Sequence, residues 1–168
     1  SSALMQLFFG LHDLGCRIYI PDRLHEGYGP NPDAIRLLSK DGATLIVTVD
    51  CGTTSFDPLD VAAEIGVDVV VVDHHQADAE LPKSVAVVNP NRQDDLSGLG
   101  QLCAAGVVFL LLVAISRELR SRNYYKGSPP DLLALLDLVA LATVCDVVPL
   151  MGLNRAYVTK GLQVMHGR

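Results

Sequence analysis

Three separated stretches carry residues able to hold a divalent cation. Asp50 follows an apolar run in VDCG at 49 to 52, Asp73, His74 and His75 close a second apolar run in VVDHH at 71 to 75, and Asp146 lies inside TVCDVVPL at 143 to 150. Carboxylates with neutral imidazoles suit a divalent transition ion such as Mn²⁺, whereas a thiolate-rich set favours zinc. Cys51 neighbours the set without a clear place in it. A single acid after a strand often only caps the next turn. An Asp-His-His row paired with a second acid at another strand end favours ligation over capping. For Asp146, an ionised carboxylate among apolar neighbours is costly without a cation or donors. A bound metal is one partner and a cap at the end of a helix is the other; Asp137 reads as structural.

Weaker signals surround these. Gly98 and Gly100 precede a long helical stretch, so backbone N–H groups there can cradle a phosphate, although a tight turn explains two glycines as well. Arg23, His25 and Glu26 in DRLHEGYG, and Arg92 after Asn89-Pro90-Asn91, are polar loop residues able to reach the same face.

The elements that must position these residues follow from periodicity. Residues 45 to 49 (LIVTV) and 67 to 72 (VDVVVV) are β-branched runs suited to strands of a parallel sheet, with residues 85 to 88 and 17 to 20 as shorter strands. Leu4, Leu7, Phe8, Leu11 and Leu14 recur at helical spacing, which predicts a helix over 2 to 14 ended by Gly15. Further helices are predicted from 32 to about 40, 55 to 65, 102 to 120, 132 to 141 and 154 to 165, two of them opened by prolines. Strands alternating with helices predict an α/β fold: an open, doubly wound, mainly parallel sheet with helices on both faces. In such a sheet, ligands gather at the carboxyl ends of the strands. Asp50 and Asp73 stand at two of those ends.

At 168 residues and 49% hydrophobic, the chain is expected to form one domain. A net charge of −6 argues against a surface that grips nucleic acid everywhere, since phosphate binding leaves a basic footprint. The longest apolar run, 104 to 115, is too short for a membrane span and is followed by Arg117, Glu118, Arg120 and Arg122. Four scattered cysteines without CxxC spacing fit a reducing, cytoplasmic setting. The opening SSALMQLFFGLHDLG has neither an initiating Met nor a signal-peptide pattern, and reads as cut from a longer chain.

In order and spacing, VDCG, VVDHH and TVCDVVPL resemble the second, third and fourth motifs of the DHH phosphoesterases. The segments PDRLHEGYG, AVVNPNR, LCAAGVVF and LLDLVALATVCDVVPL resemble the RecJ branch specifically, over essentially the whole chain. The resemblance implies a metal-dependent 5′ to 3′ exonuclease acting on single-stranded DNA in recombination and repair, using two Mn²⁺ or Mg²⁺ ions. It implies that Asp50 bridges the two ions, that His74 and Asp146 bind one of them, that His75 contacts the scissile phosphate, and that Asp73 orients the histidines. The family's first motif, an Asp-x-Asp-x-Asp run, is not in the chain, so the expectation is one metal half-site and little or no catalysis. Single-stranded DNA would be gripped through further domains, with other repair proteins as possible partners. Cys51 and Cys145 replace the Asn and Ala found in many relatives, which raises oxidation sensitivity beside small-residue packing as their role. The resemblance leaves two other readings: a phosphoesterase for short oligonucleotides or nucleotides, and a non-catalytic scaffold like Cdc45 with eroded ligands. Retention of Asp50, His74, His75 and Asp146 argues against erosion.

Overall fold

The computed structural model describes residues 1–167. The elements run α1 (Ser2–Gly10), α2 (Pro32–Lys40), β1 (Leu45–Val49), α3 (Phe56–Glu64), β2 (Asp68–Val72), β3 (Ala86–Val88), α4 (Ala104–Ser121), a 3-10 turn (Leu132–Leu135), α5 (Leu136–Cys145) and α6 (Gly152–His166). The chain divides into two compact units, one of Tyr19–Gly100 and the other of Ser1–Ile18 with Gln101–Arg168.

The Tyr19–Gly100 unit holds the sheet, which is parallel throughout in the order β1-β2-β3. Parallel strands need crossovers rather than hairpins, and α3 supplies the one from β1 to β2. Residues Val69 and Val71 on one face of β2, with Val87 of β3, pack on Ile35 of α2 and on Leu59 and Ala62 of α3. Leu59 and Ala62 are three apart, so they share one helix face. Both are 0% exposed, and burial of a side chain such as Leu59 contributes about 1.5 to 3 kcal/mol. The start of α2 is local chemistry: Asn31 Oδ1 accepts the Ala34 N–H at 2.8 Å, and Pro32 enters the first turn, where its missing N–H costs nothing. The expected α/β class, with a parallel sheet flanked by helices, is what the chain forms.

The register Val49↔Val72 brings the ends of β1 and β2 level. The ladder continues one residue further, with Asp50 N–H donating to the Val72 carbonyl at 2.9 Å and Asp73 N–H to the Val88 carbonyl at 3.0 Å. Both acids are thus fixed at the carboxyl edge of the sheet.

The other unit is helical. Its tightest seam joins α5 and α6, where Gly161 lies against the Leu136 carbonyl and the Ala140 methyl with no room for a Cβ. Buried Asn154 donates through Nδ2 to the carbonyls of Gln101 (2.8 Å) and Pro149 (3.0 Å), tying the start of α6 to two loops.

Three expected elements differ. The first helix ends at Gly10 rather than near Gly15, because Asp13 turns left-handed (φ 55°) and Leu14 N–H returns to the Phe9 carbonyl at 3.0 Å, a Schellman-like closure. Residues 17 to 20 form no strand: a strand needs a partner, none of the three pairs with them, and Ile20 is 78% exposed. The segment from 132 begins as a 3-10 turn capped by the Asp131 carboxylate on Leu133 N–H (3.0 Å), and the helix then runs to Cys145, past the expected end at 141.

Replacing Gly161 by Ala separates two opposed effects. Helix propensity favours Ala by about 1 kcal/mol. The overlap with Leu136 and Ala140 costs about 1 to 3 kcal/mol or more. We expect the clash to win, with a lower urea midpoint and an unchanged m-value; a raised midpoint would show that α5 and α6 can part without loss.

Candidate metal centre

Asp50 leaves β1 in a left-handed conformation (φ 65°), uncommon for a residue with a side chain. Gly52 follows with φ 110°, and a Cβ there would lie 2.6 Å from Thr48 Oγ1 and 3.2 Å from Val71 Cγ1. The VDCG turn therefore needs glycine for both conformation and space. Its effect is to present the half-exposed Asp50 carboxylate at the sheet edge, where Oδ1 lies 3.3 Å from His74 Nε2.

The second strand end is organised by Asp73, which is 1% exposed. Its carboxylate accepts the backbone N–H of His74 (2.8 Å), of His75 (3.3 Å) and of Thr53 (3.1 Å), together with His75 Nδ1 (2.7 Å). Burial pushes this carboxyl up, but the bonds from His75, Thr53 and the His74 N–H outweigh it and hold the group below the usual carboxylate range. An ionised carboxylate only accepts, so His75 Nδ1 carries a proton, and in the neutral ring Nε2 is the nitrogen with the lone pair. A ring held in one tautomer by an acid is the arrangement that prepares histidine to ligate metal.

Ligand atoms of Asp50, His74 and His75 all lie within 4.8 Å of one another. One carboxylate oxygen and two imidazole nitrogens at this spacing fit a divalent transition ion. Asp73 does not join them directly, since Oδ1 is committed to the two histidines and Oδ2 accepts the Thr53 N–H.

The other expected site residues fare differently. Asp146, in the helical unit, is exposed and caps the C-terminus of α5, its N–H bonded to the Ala142 carbonyl at 2.9 Å. The argument from a buried, uncompensated carboxylate therefore fails, because apolar neighbours in sequence are not neighbours in space at a helix end. Asp137, read as structural, is buried, with Oδ1 accepting Leu138 N–H at 2.9 Å. Arg92 gives its guanidinium to the Asp94 carboxylate (2.9 and 2.6 Å) and to the Val87 carbonyl (2.7 Å). Gly98 has φ 67°, whereas Gly100 is small because the Asn91 side chain rests on it. Glu26 organises its own loop, accepting from Tyr19 O–H, Asp22 N–H and Asn31 Nδ2. Burial, then the charges of Asp73 and Asp50, push the Cys51 thiol up to about 11, so at neutral pH it stays protonated and weakly reactive.

Tyr28 is the residue that sequence reasoning passed over. Its O–H donates to the Asp50 carbonyl at 2.5 Å, its ring meets the His75 ring edge-on at 6.1 Å, and the Arg23 guanidinium carbon lies 5.3 Å from its centroid. Burial and then the charges of Asp50, Cys51 and Asp73 push its hydroxyl up to about 12. Its position two residues beyond Glu26 in DRLHEGYG was the available signal.

The family model described as "DHH family, N-terminal domain" matches residues 1–143. The chain belongs to the DHH family. This DHH chain is 40% identical over 168 residues to the single-stranded-DNA-specific exonuclease RecJ of Salmonella typhimurium, covering 96% of the chain and 29% of that relative. It is 41% identical over 145 residues to the RecJ of Bacillus subtilis, covering 86% of the chain and 17% of that relative. It thus spans less than a third of the length of either. A crystal structure of exonuclease RecJ bound to manganese superposes with a TM-score of 0.80 at 36% identity, over 96% of the DHH chain and 39% of that structure. The Mn²⁺ complex of RecJ from Thermus thermophilus gives 0.76 at 32% identity, over 96% and 22%.

Because the native pKa of Asp73 lies below its unfolded value, the ionised group stabilises the fold above about pH 4, and that contribution fades as acid protonates it. Asp73→Asn should lower stability at neutral pH by about 2 to 4 kcal/mol. It should also flatten the acid limb of a stability–pH curve measured by urea unfolding. An unchanged acid limb would place the stabilising charge elsewhere.

Proposed function

We propose that this is the catalytic domain of a metal-dependent exonuclease that digests single-stranded DNA from the 5′ end, in recombination and repair. The observation that carries the reading is the Asp50–His74–His75 cluster at the sheet edge, with His75 locked by buried Asp73. Support comes from the likeness to relatives named as single-stranded-DNA-specific exonucleases and to two manganese-bound RecJ structures.

Asp50 Oδ1 and His74 Nε2 would hold the ion, Mn²⁺ or Mg²⁺, and Asp146 is proposed as a further ligand. Such an ion supplies Lewis-acid stabilisation of the charge that develops during phosphodiester cleavage. His75, its Nδ1 proton fixed on Asp73, would offer the Nε2 lone pair to the ion, and would donate to an oxygen of the scissile phosphate only with Nε2 protonated as well. Backbone hydrogen bonding by Tyr28 steadies the turn that carries Asp50. Contacts of Arg92, Gly98 and Gly100 with the substrate belong to the proposal, although Arg92 would have to leave Asp94. All of residues 1–168 are read as part of one DHH domain, and single-stranded DNA is the proposed partner. Four free cysteines favour a cytoplasmic setting. Among the described residues no helix is long and apolar enough to cross a membrane.

Titration calorimetry with Mn²⁺ tests the ligands: one weak site is expected, lost in His74→Ala and in Asp50→Ala and weakened in Asp146→Ala. Cleavage is tested by exchanging this chain for the matching segment of the Thermus thermophilus relative, 40% identical over 155 residues. The chimera should release 5′-terminal nucleotides from a labelled single strand and leave the duplex intact, and His75→Ala should slow it by at least about 100-fold. A folded, manganese-binding chimera that leaves single strands uncut would defeat the reading.

A further inference from the structure

His74 and His75 lie just beyond the last ladder bond of β2, which Asp73 N–H makes to Val88. From there on the sheet no longer dictates the direction of the backbone, and backbone direction decides where each imidazole points. The carbonyls of both histidines nevertheless have partners, and both partners come from one short segment, Asn89-Pro90-Asn91, at the end of β3.

Asn91 Nδ2 donates to the His74 carbonyl at 2.5 Å and to the Gly100 carbonyl at 3.0 Å. Asn89 Nδ2 donates to the His75 carbonyl at 2.9 Å and to Thr53 Oγ1 at 2.9 Å. Asn89 Oδ1 accepts the Asn91 N–H at 2.8 Å, so the two amides form one linked unit. Thr53 in turn gives its N–H to Asp73 at 3.1 Å, which closes the circuit on the acid that holds His75 Nδ1.

Residue identity at these positions is set by chemistry. Carbonyl oxygens only accept, so a side chain facing two acceptors needs two N–H donors, which the –NH₂ of Asn supplies and an ionised Asp does not. Asn89 is 4% exposed, so its bonds to the His75 carbonyl and Thr53 are shielded from bulk water. Gly100 belongs to the same device, since any Cβ on it would overlap the Asn91 amide. The sheet edge therefore holds its histidines from two sides: Asp73 from beneath through the N–H groups and one ring, and the asparagines through the carbonyls.

We propose that Asn89 and Asn91 are positioning residues for the metal histidines, fixing the backbone of His74 and His75 so that their ring nitrogens meet at Asp50. The proposal rests on the reading of Asp50, His74 and His75 as metal ligands. It assigns neither asparagine a contact with metal or substrate.

The test uses the 168-residue chain with Mn²⁺ alone as the probe. Asn91→Ala and Asn89→Ala, assayed by calorimetry well below their unfolding temperatures, should bind Mn²⁺ about 10- to 100-fold more weakly, the loss usual when an outer partner of a ligand is removed. In the metal-free variants the side-chain NMR signals of His74 and His75 should broaden or shift, while the β2 signals from Val69 to Val72 hold. Gly161→Ala is the control for stability alone, since it loosens the α5–α6 seam and should leave Mn²⁺ affinity within about twofold of wild type. The outcomes are distinguishable. If both asparagine variants bind Mn²⁺ like wild type while His74→Ala does not bind, the clamp is wrong and the metal site stands. If His74→Ala also binds like wild type, the ligand reading itself has failed. If Gly161→Ala loses as much affinity as Asn91→Ala, the asparagines act only through stability and the proposal falls.

Discussion

The buried carboxylate of Asp73 is the constraint on which the sheet edge depends. Taking an ionised carboxylate out of water costs several kcal/mol, and the cost is met only because the protein supplies donors from more than one segment. A hydrogen bond to a charged acceptor contributes about 1.5 to 3 kcal/mol, so the bonds from Thr53, His74 and His75 together exceed the penalty. The net result is a carboxyl held below its usual range despite burial. To make those bonds, the turn after β1 and the turn after β2 must lie side by side. That requirement makes the parallel register Val49↔Val72 consequential for the site as well as for the core.

From this one charge the remaining geometry follows in steps. Thr53 reaches Asp73 because the VDCG turn bends sharply, and the turn bends because Asp50 and Gly52 both adopt positive φ. The left-handed conformation of Asp50 is strain of the kind that collects at functional sites, held here by its N–H bond to Val72 and by the Tyr28 hydroxyl on its carbonyl. The strain is thus maintained by the same contacts that aim the carboxylate at His74.

Much of this was legible beforehand. The strand runs LIVTV and VDVVVV were readable because continuous β-branched residues leave few alternatives to buried parallel strands. The carboxyl-edge rule then pointed to Asp50 and to the Asp-His-His row, and the structure groups Asp50, His74 and His75. The expected strand at 17 to 20 failed for a complementary reason: pairing is a tertiary event, and composition cannot show whether a partner is present. Asp146 shows the same limit, since its apolar sequence neighbours suggested burial whereas the end of α5 leaves it exposed.

By itself, the sequence determined the α/β alternation, the strands that end in acids and the donor chemistry suited to a divalent ion, because these depend on residue type and on periods of two or 3.6 along the chain. Tertiary structure decided which nitrogen of His75 carries the proton, that the Tyr28 ring meets this imidazole edge-on, that Arg92 is engaged by Asp94, and that Asn89 and Asn91 bond to the histidine carbonyls. Apart from the local pairs Asp73–His75 and Arg92–Asp94, these contacts join residues far apart along the chain. Hydrogen bonds require donor and acceptor at about 3 Å, and no pattern along the chain encodes that proximity until the strands have paired.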